Sequence, residues 1–189
     1  MDLPVMLFKH QKAWEAWLDK HFDSSAGLWL RLAKKSAKLQ SVSYQEALEV
    51  ALCYGWIDGQ KKSYDEESWL QRFTPRGPKS IWSKINRARA QELIERGHMQ
   101  APGLAAIENA KENGHWEAAY DSHLTAVPPD GFQVALDLSP KAKAFFATLN
   151  SQNRYAILFR IQTAENDDTR QKRIARFIRM LENHEKLYP

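Results

Sequence analysis

The sequence predicts an α+β fold: a small antiparallel sheet of about three strands packed with helices, followed by a helical C-terminal region. Residues 27–34 and 69–73 alternate in side-chain character with the period of two that is typical of strands. Residues 9–22 and 43–53 instead carry apolar side chains at helical spacing. From Ser139 onward, the periodicity is helical.

The elements of the first half follow in order. A helix over 9–22 precedes the strand near Trp29, in which Leu28, Leu30 and Leu32 share one face. Ser43 and Glu46 have the spacing of a capping box, which predicts a helix that ends near Gly55. A strand from about residue 54 to 64 then turns at 65–67 into the strand that ends at Phe73. Because three strands need a helix across one face, we expect the two helices to cover this sheet.

From Ile81 onward, the sequence predicts where several helices begin. A helix from Ile81 to about Arg96 places Asn86 and Arg89 beside apolar residues, so both need specific partners, which are most simply internal ones. Pro102 suits the first turn of a short helix that ends at residues 113–114. Residues 115–138 show little periodicity. The sequence then predicts three helices with the following starts: Ser139–Pro140, a cap at Ser151 and a cap at Thr169.

The length of 189 residues fits one or two domains. We expect an α+β region over residues 1–100 and a mostly helical region over 101–189, unless the two form one continuous domain. Residues 101–139 hold one basic and six acidic residues, whereas 140–189 hold ten basic and five acidic. The single cysteine, the lack of a signal-peptide pattern and the lack of a long apolar run favour a cytoplasmic location.

The junction after the strand at 69–73 is the candidate functional site. Four basic residues crowd it, and no acidic residue lies between Ser68 and Gln91. We expect Ser80 to cap the next helix, whose free N–H groups and partial positive charge attract anions. The predicted ligand-binding residues are Arg72, Arg76, Lys79, Ser80, Ser83 and Asn86, with Trp69 or Trp82 stacking on a ring of the ligand. The alternative is an ordinary solvated loop with a simple cap.

Three further residues would support this site. Asp58, flanked by apolar residues, is the best candidate for a general base, although pairing with Arg72, Arg89 or Arg170 is the simpler interpretation. Arg170 lies on the apolar side of the last helix and needs an acceptor there. The six histidines and Cys53 form no metal-ligand motif, and the sequence has no G-x-S-x-G, Walker or G-x-G-x-x-G motif. We therefore assign no catalytic residue, metal or cofactor.

Several ordered motifs resemble the bacterial YdeI/OmpD-associated (OmdA-like) family. They are Ala51–Gly59, Arg72–Arg76, Ser80–Asn86, Gly97–Met99, Gly103–Ile107, Gly114–Trp116, and Thr169–Arg170 with Lys172–Ile174. The resemblance implies a bacterial, cytosolic protein linked to bacteriocin protection and to resistance against cationic antimicrobial peptides. It supplies no reaction and no catalytic residues. Gly77 departs from the family pattern, which commonly has Lys or another polar residue there, and so removes one cation from the loop.

Three functions follow from these observations. The first is a non-catalytic resistance protein that binds an anionic small molecule or partner at the junction. The second is an enzyme in which Asp58 acts with the arginine cluster, which requires Asp58 to lie in an open pocket with those cations. The third is nucleic-acid binding through the basic face of residues 170–179, which the acidic block and the modest net charge of +4 disfavour.

Overall fold

The structure, a computed structural model, describes residues 2–189. Its elements, in chain order, are β1 (Val5–Met6), α1 (Gln11–His21), β2 (Leu28–Ala33), α2 (Tyr44–Cys53), β3 (Trp56–Ser63), β4 (Ser68–Pro75), α3 (Lys84–Glu95), α4 (Ala101–Glu112), α5 (Asp130–Leu138), α6 (Pro140–Thr148), α7 (Ser151–Gln162) and α8 (Asp167–Glu182). The α+β class is confirmed. Within the described residues, no helix is long and apolar enough to cross a membrane.

The sheet contains the three predicted strands and one more. Its strand order is β1-β2-β4-β3, with β4 antiparallel to both of its neighbours. The extra strand, β1, is two residues long and parallel to β2, which makes the sheet mixed. Residue 28 of β2 pairs with Phe73 of β4, and a bulge interrupts the β3–β4 pairing between Asp58 and Lys61.

The chain forms two compact units. The first holds the residues up to Trp82 together with Asn86–Glu117, and the second holds Ser83–Ile85 together with Ala118–Pro189. A functional division at residue 100 stays a prediction.

The core of the first unit is built on aromatic side chains between the sheet and its helices. The Trp14 ring of α1 lies edge-on to Trp56 at 6.2 Å and is 5.8 Å from Phe73, and all three residues are fully buried. Each indole N–H has an acceptor: Trp14 donates to Ala47 O at 3.0 Å, and Trp56 donates to Phe22 O at 2.9 Å. This satisfies the polar atom of each buried ring.

The second unit packs α5 to α8 around a separate apolar core. That core consists of Phe132, Leu136, Ala142, Leu149, Ile157, Leu158, Ile161, Ile174, Phe177 and Leu181. Helix α5 is absent from the prediction, which placed little regular structure over 115–138. The apolar periodicity of α5 is weak, because its two buried residues are Phe132 and Leu136, one turn apart.

Several helix starts differ from the prediction by a few residues. Asn150 and Asn166 are the N-caps of α7 and α8, each accepting a backbone N–H, in place of the predicted Ser151 and Thr169. Asparagine and serine are similarly good caps, so propensity alone does not separate them. The capping box at Ser43 and the cap at Ser139 are confirmed.

Candidate functional site

The loop after β4 closes a cavity together with α4. The Arg76 N–H donates to Gly55 O at 2.9 Å, which extends the sheet pairing one residue beyond β4. The Gly77 N–H donates to the Ser80 hydroxyl at 3.0 Å, and the Ser80 N–H donates back to Gly77 O at 2.9 Å. Farther along the chain, the Asn113 side-chain amide donates to Pro78 O at 2.9 Å and so fixes the loop against the end of α4. These bonds give the loop a defined conformation.

The Arg76 side chain lies flat against a buried tryptophan. Its guanidinium carbon is 3.6 Å from the centre of the Trp82 ring, and its Nη1 donates to Ile81 O at 3.2 Å. Trp82 is 2% exposed, and Trp116 contacts it nearly edge-on at 4.9 Å. A guanidinium stacked on an indole gains cation–π attraction and loses freedom, so its charge is held in place.

A cavity of about 220 Å³ opens beside this cation. Its lining residues are Arg76, Gly77, Pro78, Ser80, Trp82, Ala106, Asn109, Ala110 and Asn113. Of these described residues, Arg76 alone is charged. The polar side-chain groups of its lining residues are therefore one guanidinium, one hydroxyl, two carboxamides and one indole N–H, a set that can bind a small polar or anionic group.

Three of the eight predicted ligand-binding residues line this cavity: Arg76, Ser80 and Trp82. The other five are elsewhere. Lys79 is exposed in the loop, and Ser83 forms a bridge with Tyr120. Asn86 is half-buried near the start of α3.

Arg72 and Trp69 belong to the sheet and do not line the cavity. The Arg72 guanidinium packs against Gly59, where a Cβ atom would lie 3.0 Å from Nε. This Nε is buried, with no hydrogen-bond partner among the described residues. The Trp69 ring lies 6.0 Å from the Tyr44 ring, with the Lys61 ammonium 4.3 Å from its centre. Arg72 and Trp69 therefore pack against other residues of the first unit, away from the cavity.

Ser80 is not a helix cap. Helix α3 starts at Lys84, four residues later, and Ser80 instead forms a tight turn with Gly77 through its hydroxyl and N–H groups. The helix that lines the cavity is α4, and the lining residues 106–113 are its C-terminal half and its C-cap. The predicted arrangement, a helix N-terminus facing the ligand, is therefore wrong.

The supporting residues also lie apart. Asp58 accepts a hydrogen bond from the Tyr44 hydroxyl at 2.8 Å, in place of the expected arginine. Arg89 is half-buried on α3, whose buried residues are Ala90 and Leu93. Arg170 pairs with Asp167 on its own helix and keeps 39% of its side chain exposed, so it needs no additional acceptor.

The basic face of α8 is partly neutralised within the helix. Lys172 pairs with Asp168 at 2.7 Å, and Arg170 pairs with Asp167. Arg173 donates to the Arg160 carbonyl oxygen. Two of the five basic side chains between 170 and 179 are thus paired with carboxylates, which weakens the field that a phosphate backbone would meet, whereas the acceptor of Arg173 is neutral.

Sequence reasoning missed the contribution of α4. Asn109 and Asn113 lie about thirty residues beyond the loop, and Asn113 reads in the sequence as part of a helix end. Asn113 makes one contact that sequence can predict and one that it cannot. Its side-chain oxygen accepts the His115 N–H at 3.1 Å in a common local turn, whereas its hydrogen bond to Pro78 O is long-range.

Two family models match the chain. Residues 6–106 match a domain of unknown function, DUF8412, and residues 125–184 match the family described as bacteriocin-protection, YdeI or OmpD-associated. No curated protein and no solved structure matches. The predicted family is confirmed over a shorter range than the motifs suggested, since those between Ala51 and Met99 fall in the first match. The chain therefore belongs to the DUF8412 family, whose model covers more than half of it, and its residues 125–184 match the model of the YdeI/OmpD-associated bacteriocin-protection family.

Proposed function

We propose that this chain is a non-catalytic binding protein that contributes to resistance against bacteriocins or cationic antimicrobial peptides. We further propose that its ligand presents a phosphate or carboxylate to the cavity beside Arg76. The match at residues 125–184 supports the bacteriocin-protection role. The cavity geometry supports the anionic group.

The observation that carries the proposal is the placement of one stacked guanidinium at the wall of a polar cavity. The Arg76 charge is held 3.6 Å over Trp82, and the Ser80 hydroxyl lies at the same wall. A cavity of about 220 Å³ has room for a small anionic group and a few waters, since each water occupies about 30 Å³ in the liquid. An arginine that is already ordered loses little additional entropy when it binds an anion.

One electrostatic effect opposes the anion. The C-terminal half of α4 faces the cavity, and its partial negative charge disfavours an anion by about 0.3–1 kcal/mol. A charge-assisted hydrogen bond contributes about 1.5–3 kcal/mol, so the Arg76 contribution exceeds this opposing effect. Binding should consequently depend on Arg76 more than on any other residue of the cavity.

The test is calorimetric titration of the protein with inorganic phosphate, acetate and AMP. Arg76→Gln should abolish binding, while the matched control Lys79→Gln, which removes the same charge from an exposed loop position outside the cavity, should leave it intact. Equal losses in both variants would mean that the loop attracts anions only through its net charge. Absence of binding by all three anions would remove the anion assignment.

The cellular role is tested separately. Cells that lack the gene should regain survival under bacteriocin challenge when they express the parent chain or Lys79→Gln, and should regain less with Arg76→Gln. Full protection by a well-folded Arg76→Gln protein would separate the resistance role from this cavity.

The enzyme hypothesis lacks the geometry that it requires. Asp58 accepts a hydrogen bond from the Tyr44 hydroxyl and is not among the residues that line the Arg76 cavity. We therefore do not assign it a catalytic role.

A further inference from the structure

The second unit contains a larger cavity that the proposed anion site does not use. Its volume is about 600 Å³, within the range of small-molecule binding sites, roughly 300–1,000 Å³. It lies along α7, and Tyr188 contributes to its wall. Its principal lining residues are His123, Ser151, Tyr155, Phe159, Arg160 and Tyr188. Most of them belong to the segment that matches the YdeI/OmpD-associated family.

Three aromatic rings form the apolar part of this cavity. Tyr155 and Phe159, four residues apart on α7, face the same side, with ring centres 5.9 Å apart. Tyr120 contacts Phe159 edge-on at 4.9 Å from outside the lining, and the Tyr155 hydroxyl donates to Asp121 O at 3.2 Å. These contacts hold two of the rings in position, and Tyr188 supplies the third.

Tyr188 is held in place by a buried asparagine. Asn153 is 1% exposed, and its Oδ1 accepts the N–H groups of Leu187 at 3.1 Å and Tyr188 at 2.9 Å. Its Nδ2 donates to Tyr188 O at 3.2 Å and to Asn150 Oδ1 at 3.1 Å. Both polar atoms of this side chain thus help to fix residues 187–188 against α7, so the cavity wall exists before any ligand arrives.

The cavity carries positive charge without a neutralising carboxylate. Arg160 donates to Ala156 O at 2.9 Å and to the Tyr188 hydroxyl at 3.3 Å, both neutral acceptors. The salt bridges of the described residues include none to Arg160. The lining contains no Asp or Glu, while His123 adds an imidazole. A buried or half-buried guanidinium gains most from a carboxylate acceptor.

We infer that this cavity is a second binding site, which takes a small molecule with an aromatic body and one carboxylate. The ring system stacks among Tyr155, Phe159 and Tyr188, and the carboxylate pairs with Arg160. A single guanidinium beside three rings suits a monoanion with a flat apolar body, because aromatic contact and one charge-assisted pair then act together. This site is independent of the Arg76 cavity and extends the proposed function with a second ligand class.

The test uses 2-naphthoate as the probe, with its uncharged analogue 2-naphthamide to isolate the contribution of the charge. Ligand fluorescence anisotropy and calorimetry should give saturable binding of 2-naphthoate to the full chain. Arg160→Gln should weaken 2-naphthoate at least about tenfold and leave 2-naphthamide unchanged. Tyr188→Ala should weaken both ligands, since it removes a wall of the cavity and not the charge.

Arg176→Gln is the matched control, because Arg176 is exposed on α8 and lines none of the cavities described above. It should bind both probes like the parent. The inference is overturned if 2-naphthoate does not bind up to about 5 mM, if Arg160→Gln binds it like the parent, or if Arg176→Gln weakens it equally. Arg160→Gln should leave phosphate binding at Arg76 unaffected. The two proposed binding sites are therefore tested independently, and one can be refuted without the other.

Discussion

Gly103 offers the sharpest test of how the first unit is packed. It is the third residue of α4, where that helix meets the end of α2. A Cβ atom at this position would lie 2.2 Å from the Cys53 carbonyl oxygen and 2.4 Å from the Met99 sulfur. The Met99 side chain can move aside, but the Cys53 carbonyl belongs to the backbone and accepts the Gln100 N–H at 3.2 Å. Gly103→Ala must therefore displace backbone.

Two effects of opposite sign decide the result. In a helix interior, alanine is favoured over glycine by about 1 kcal/mol, and by less in the first turn. Overpacking costs about 1–3 kcal/mol, and disturbing the Gln100–Cys53 hydrogen bond adds about 0.5–1.5 kcal/mol. We expect Gly103→Ala to lower the free energy of unfolding by about 1–3 kcal/mol. Propensity alone predicts a small increase, so the sign of the change distinguishes the two arguments.

Urea denaturation followed by tryptophan fluorescence and circular dichroism measures this change. Gly131→Ala is the matched control, because Gly131 is the second residue of α5 and its Cβ would meet Ile174 Cδ1 at an ordinary 3.6 Å. It should keep or raise stability by up to about 1 kcal/mol. A Gly103→Ala protein as stable as its parent would refute the close approach of α4 to Cys53.

Three more predictions concern α2. Ser43→Ala removes its N-cap and should lower the free energy of unfolding by about 1 kcal/mol at neutral pH; an unchanged urea midpoint would contradict the capping role. Hydrogen bonds from Ser43 lower the pKa of Glu46 below its ordinary value of 4.5. The stabilisation from these bonds is therefore present above pH 4.5 and is lost as the pH falls through the lowered pKa. Acid should consequently reduce the free energy of unfolding of the parent more than that of Ser43→Ala. Burial, with the nearby charges of Glu15 and Glu49, raises the pKa of the Cys53 thiol to about 11. Alkylation of Cys53 by iodoacetamide near pH 8 should therefore be about a hundredfold slower in the folded protein than in urea. Fast labelling of the folded protein would refute this burial.

Long-range contacts explain why the candidate site was only partly predictable. The sequence placed Arg76 and Ser80 in one loop, and these two residues do meet at a cavity. It could not show that Ser80 would form a turn with Gly77, or that Asn109 and Asn113 would complete the wall from another helix. Hydroxyl groups have several local acceptors and donors of similar energy, so the choice between a turn and a cap depends on the surrounding packing.

The second unit shows the same limit. The sequence predicts a helix that starts with a cap at Ser151, but the hydrogen bonds by which Asn153 holds residues 187–188 depend on a contact thirty-five residues away in the chain. The helical position of Arg170, close to the apolar stripe, predicts an inward cation, whereas Asp167, three residues earlier on the same helix, neutralises it at the surface. A position on the helical wheel shows which face of the helix a residue occupies, but it does not separate a buried side chain from one at the edge of the apolar stripe.

The sequence by itself determined the features that depend on neighbours within one or two turns: the alternating strands β2 and β4, the capping box of α2 and the α+β class. Tertiary structure alone decided the mixed sheet with its parallel β1, the cavity beside Arg76 and the aromatic cavity along α7. The physical reason is range: hydrophobic period and capping act between residues close in the chain, whereas a cavity is defined by side chains that meet only when distant segments pack.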